Sequence, residues 1–114
     1  MPEHLHLVLQ PPDDLALGPV LGRMKGWTAR QVLDSLSGLQ KVPCRSDGKP
    51  AIWQRRGYDH NCRSLEIVRE KVLYCHKNPI ARGLVSGPSD WPWSSHNWYQ
   101  KTGRVVLEID GIEL

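Results

Sequence analysis

The chain has 114 residues, 15 Lys and Arg against 12 Asp and Glu, five Trp and no Phe. This is enough for one small core and too little for two, and a net charge of +3 permits an acidic polymer as partner without demanding one. Three cysteines at positions 44, 62 and 75, none in a CxxC pair, speak against a disulfide framework or a zinc knuckle and are read as reduced and cytoplasmic; no run is long enough to span a membrane or to serve as a signal peptide.

The opening MPEHLHLVLQ predicts a β-strand. Side chains alternate across a strand, so His4, His6 and Val8 would share one face while Leu5, Leu7 and Leu9 face a core. Two imidazoles side by side on one face can hold a single cation, although an isolated HxH is more often a pair of half-exposed histidines. Residues 11–14 (PPDD) break the strand. A short helix from Pro19 to about Lys25 is expected, interrupted near Gly26, with a second helix capped by Thr28 through a Thr28/Gln31 capping box and ending at Gly38. Residues 41–50 read as loop and 51–56 (AIWQRR) as a short strand closed by Gly57.

Ser64 is placed to cap a third helix with Glu66 in its first turn, and Pro79 is expected to end it. Leu65, Val68, Val72 and Cys75 form its expected core stripe, whereas Tyr74 and Asn78 project together from another side. Asn78 precedes a proline, so a helix-ending role competes with a ligand role. Tyr58 and Tyr99 are the other tyrosines, with Tyr58 the second choice as a nucleophile. His60, His76 and His96 lack a partner at ligand spacing and read as solvated. Most tryptophans, Trp91 and Trp93 above all, are assigned to packing because Phe is absent. The closing segment, 100–114, is a tail or one added strand. Lys25, Arg30, Arg55, Arg56 and Arg82 are the candidate nucleic-acid contacts, with Trp27 and Trp53 near several of them in sequence.

Two strand histidines, a helical tyrosine and an asparagine one turn later have the makings of a metal-assisted nucleophilic site for phosphodiester cleavage. The imidazole nitrogens and amide oxygen would hold a cation with open positions, and the phenol would attack phosphorus. The blocks MPEHLHLVL, MKGWTARQVL, IWQRRGYDHNCRS, YCHKNPIARGLV and DWPWSS, in that order, resemble the IS200-like single-tyrosine HUH transposases, in particular their REP-associated tyrosine transposase branch. The resemblance covers residues 1 to about 99 and implies one transposase domain over residues 1–114. It implies an α+β ferredoxin-like sandwich, an antiparallel sheet with helices on one face, lacking the strand, helix and strand that usually precede the HUH strand. It further implies metal ligands His4, His6 and Asn78, the nucleophile Tyr74, Mg²⁺ or Mn²⁺ as cofactor, and single-stranded hairpin DNA as substrate, with monomer or homodimer undecided. The expected activity is cleavage and rejoining of single strands through a 5′-phosphotyrosine. A truncated, inactive relative that only binds nucleic acid is the alternative, and a structural metal domain has too few ligands.

Overall fold

The computed structural model describes residues 1–38, 43–106 and 108–114. Among them are three α-helices, α1 (Leu17–Ser35), α2 (Leu65–Ala81) and α3 (His96–Gln100), and one 3₁₀ turn, Pro88–Asp90. The chain divides into two compact units, Gln10–His60 and the remainder, Met1–Leu9 with Asn61–Leu114.

The expected antiparallel sheet is not formed among the described residues, so the ferredoxin-like sandwich is not the architecture seen. The β-pairing described is a single bridge between Cys44 and Pro50. An extended segment becomes a strand only when another satisfies its outward N–H and C=O groups. Residues 1–9, 51–56 and the described part of 105–114 pair in no such ladder. The opening segment is also turned the other way round from expectation. His4 and His6 are half-buried, while Leu5, Leu7 and Leu9 are exposed.

In the Gln10–His60 unit, α1 is one continuous helix where two were expected. Pro19 falls in its first turn, where a missing N–H costs nothing. Gly22 and Gly26 lie inside it, and each costs about 1 kcal/mol relative to Ala without breaking the ladder. Thr28 is therefore mid-helix, not a cap. Its hydroxyl donates back to the Met24 carbonyl (2.8 Å) and accepts from the Trp53 indole (2.9 Å). That bond, with Lys25 Nζ donating to the Gln54 carbonyl (3.3 Å), ties residues 53–54 to α1. Residues 43–51 form a tight turn: Ala51 N–H donates to the Pro43 carbonyl, Arg45 N–H to Lys49, and Gly48 N–H to Arg45, with Gly48 at φ +77°. The part of the expected 41–50 loop before Pro43 lies outside the described residues.

In the other unit, Ser64 caps α2 as expected, its hydroxyl accepting from Ile67 N–H (3.3 Å), and Glu66 lies in the first turn near the positive end of the dipole. Pro79 does not end the helix, which runs on to Ala81. The stop is Gly83: at φ +65°, it donates to the Ile80 carbonyl (2.8 Å), and Leu84 N–H donates to Pro79 (2.9 Å). This is a Schellman closure, which needs a left-handed residue one position past the cap. Val72, His76 and Pro79, at i, i+4 and i+7, are the buried stripe, whereas Leu65 is exposed.

The 3₁₀ turn packs on α2 and α3. Asn97, 1% exposed, holds this end together: its amide donates to the carbonyls of Ser89 (3.1 Å) and Arg104 (3.4 Å). Its side-chain oxygen is buried without a hydrogen-bond partner. Trp93 is exposed and Trp91 half-buried, so neither supplies the sealed core expected of it. The tail runs back over the helices, with Arg69 donating to the Glu113 carbonyl and Ile112 N–H reaching the Tyr99 hydroxyl.

Candidate active site

His4 and His6 stand on one side of an extended segment, so their rings meet. The Nε2 atoms are 3.0 Å apart, one donating to the other, and the rings cross edge to face at 4.7 Å between centroids. Tyr74 comes to the same place from the middle of α2: its ring meets that of His6 edge to face at 5.4 Å. The phenol remains half open to solvent, so a large substrate can reach it. Residues separated by 68 positions thus form one cluster, held by a capped helix on one side and a short segment on the other. Asn78, one turn beyond Tyr74, is half-buried.

Glu3 fastens the histidine segment to the helix. Its carboxylate accepts from the Arg82 guanidinium at the C-terminal cap of α2 and lies 3.4 Å from His4 Nδ1. Its pKa is lowered, first by a hydrogen bond from backbone and then by Arg82, outweighing the opposing effect of burial. Partial burial, and then the neighbouring charge of His4, hold the His6 imidazolium below its ordinary pKa. His6 is accordingly uncharged near neutrality, with a ring nitrogen able to act as a ligand.

The pair fits a divalent cation geometrically. With metal–nitrogen bonds of ~2.1 Å, two nitrogens 3.0 Å apart subtend ~90° at a common ion, the angle between neighbouring positions of an octahedron. Such an ion would take the place of the shared hydrogen, each ring then carrying its hydrogen on Nδ1, where for His4 the Glu3 carboxylate is within reach. No group of three His, Cys, Asp or Glu side chains among the described residues is placed to hold a metal. A three-ligand protein site would therefore need a ligand of another type, such as the Asn78 amide.

Tyr58 is 95% exposed, and Tyr99 is engaged by His76, Trp98 and the tail. Arg82 is already paired with Glu3. Lys25 and Arg55 line a cavity of the other unit beside Trp53, while Arg30 and Arg56 are exposed on that unit.

Sequence reasoning missed two features. Glu3 was passed over because a carboxylate beside an HxH carries no spacing signal until Arg82 is known to return to it. His76 was read as solvated yet is 4% exposed, its Nε2 2.9 Å from the Ser95 hydroxyl and its ring against those of His96 and Tyr99. Burial, and secondarily the charge of His96, push its pKa down to about 4. The available signal was its spacing: His76 falls four residues after Val72 and three before Pro79, within the buried stripe.

No family model and no solved structure matches the chain. It is 27% identical, over an aligned stretch of 114 positions that takes in 96% of its length, to the REP-associated tyrosine transposase of Escherichia coli K12, and covers 57% of that protein. It is 31% identical over 98 residues, 83% of its length, to a Haemophilus influenzae protein named "Putative REP-associated tyrosine transposase", and covers 54% of it. The chain therefore spans about half the length of the curated relatives it matches. Over most of its own length the chain is thus similar in sequence to proteins named as REP-associated tyrosine transposases.

Proposed function

We propose that this chain is a DNA transposase component that nicks and rejoins single-stranded, hairpin-flanked DNA, with Tyr74 as nucleophile. The observation that carries the reading is the edge-to-face contact of His6 with Tyr74, which puts the HxH pair and a solvent-accessible phenol in one cluster. The Tyr74 Oη attacks the scissile phosphorus, a tyrosyl 5′-phosphate ester forms, the bond from phosphorus to the 3′ oxygen breaks, and the phenolic proton ends on the freed 3′-hydroxyl. The new ester retains the energy of the old one, so rejoining needs only the reverse attack by a 3′-hydroxyl, without a nucleotide cofactor.

His4, His6 and Asn78 would hold Mg²⁺ or Mn²⁺. A divalent cation, when bound there, polarises the phosphate and offsets the charge that builds on its oxygens. Glu3 and Arg82 keep the histidine segment against α2, and the rigid turn of α2 before Gly83 keeps Tyr74 and Asn78 in register.

The test is incubation with an end-labelled hairpin oligonucleotide carrying single-stranded flanks, in Mn²⁺, with and without chelator, followed by denaturing electrophoresis. A labelled protein band that requires the cation and vanishes in Tyr74→Phe, while that variant still binds the hairpin, is the expected result. Hairpin binding without any adduct in the folded protein would reduce the chain to a binding module.

A further inference from the structure

All of the chain's net positive charge lies in one unit. Gln10–His60 carries eight Lys and Arg against five Asp, whereas the unit bearing His4, His6 and Tyr74 carries seven basic and seven acidic residues. A polyanion is thus drawn to the unit without the nucleophile.

That unit has a cavity of about 330 Å³ between one side of α1 and residues 50–55. Lys25, Arg45 and Arg55 line it, no Asp or Glu does, and no ion pair is described for any of the three. Trp53 forms a wall, and Ala29 and Leu33 of α1 add apolar surface. The cations are placed by structure. Lys25 is tethered to the Gln54 carbonyl and lies 5.9 Å from the centre of the Trp53 ring. Arg45 sits on the hydrogen-bonded turn closed by Gly48, and the Trp53 indole is fixed by Thr28. A second cavity of about 290 Å³ shares Arg45, Trp53 and Arg55 but adds Asp47, whose carboxylate also accepts from Lys49 N–H, so it is the less suited of the two to an anion.

We infer that the larger cavity is a nucleotide site, taking a base against the Trp53 indole and its phosphate among Lys25, Arg45 and Arg55. An aromatic wall with cations free of ion pairs at its rim matches the two halves of a nucleotide: the ring offers a stacking platform for any base, and each neutralised phosphate adds a salt-dependent increment. The volume is at the small end of the roughly 300–1,000 Å³ of ligand sites, which suits one nucleotide and not a duplex. As a site for an unpaired stretch of strand it deepens the proposed function and rests on its nucleic-acid reading; the same chemistry would also take a free monophosphate, independently of that reading.

The experiment has two arms on the full chain. In the first, anisotropy of a fluorescent unpaired oligonucleotide is followed against salt for the wild type and for R45Q/R55Q, whose folding is checked by circular dichroism. In the second, dAMP is titrated at millimolar concentration while the five tryptophan indole N–H resonances are recorded, that of Trp53 being assigned by its loss in W53F. We expect the double variant to bind the strand about tenfold or more weakly, with a log–log salt slope reduced by about 1.4, and dAMP to move the Trp53 resonance selectively. A strand bound equally by both proteins, with Trp53 unmoved, overturns the nucleotide site and leaves the proposed function standing. A Trp53 shift with no strand binding keeps the site, as one for a free nucleotide, and sinks the nucleic-acid reading. Neither strand binding nor a shift overturns both.

Discussion

Acid should unfold the unit that contains α2 through His76. This histidine is 4% exposed on the inner stripe of α2, two residues after Tyr74, and packs against Ser95, His96 and Tyr99. Its pKa falls from 6.5 to about 4 on folding, because burial, and then the charge of His96, disfavour the imidazolium. Between those two values the unfolded chain binds a proton that the folded chain does not, so stability rises with pH across the interval. The contribution is fully present above about pH 6.5, is lost progressively below it, and is gone below about pH 4. A depression of that size corresponds to about 3 kcal/mol as an upper bound, a large share of a small domain's stability. The assay is urea unfolding at a series of pH values, followed by intrinsic fluorescence, to which Trp98, edge-on to Tyr99, contributes. His6, also held below its ordinary value, adds a term of the same sign. His76→Gln should therefore lower stability near neutrality and remove most, not all, of the pH dependence between about 4 and 6.5. Equal pH dependence in wild type and variant, or a wild type that gains stability on acidification, would refute the argument.

Further outcomes are expected at particular residues. Ser64→Ala removes the acceptor for Ile67 N–H and should cost about 1 kcal/mol in urea unfolding, through fraying of the first turn of α2. Gly103→Ala should cost about 1–2 kcal/mol, since Gly103 has φ +62° and an added Cβ would stand 2.9 Å from Asn97 Nδ2; Asn97→Ala, which frees the Ser89 and Arg104 carbonyls, should cost about 1–3 kcal/mol in the same assay. Cation binding by calorimetry should be weakened strongly in His6→Ala, which removes one of the two facing ring nitrogens. Iodoacetamide should label exposed Cys44 well before Cys75, whose half-buried thiol has its pKa raised by burial; mass spectrometry of the tryptic peptides reads the order.

The parts legible in the sequence were those set by neighbours along the chain. Ser64 announced α2 because capping is a local bond, and the 100° rotation per residue placed Tyr74 off the core stripe and near Asn78. Where a residue had two local uses, the wrong one was read. Thr28 fits a cap by spacing, but a helix already running through Gly26 leaves no orphan amide to cap, and its hydroxyl turns back to Met24 while receiving Trp53 from 25 residues away. Pro79 looked like a stop, yet the left-handed Gly83 ends α2, with Pro79 itself supplying a carbonyl to the closure. The sheet depended on partners, and the described segments do not pair, so alternation alone produced no strand. The same alternation still set His4 and His6 on one side, so their juxtaposition was legible although the expected fold was not formed.

The central claim is that Tyr74 forms the covalent link to DNA. After reaction with a hairpin substrate in Mn²⁺ and exhaustive nuclease digestion, tryptic cleavage yields a peptide over residues 72–77 in which Tyr74 is the sole tyrosine. The nucleotide mass should remain on that peptide and be absent when His4 and His6 are both replaced by alanine. Nucleotide mass on a peptide carrying Tyr58 or Tyr99, or unmodified peptides throughout from folded, hairpin-bound protein, would contradict it.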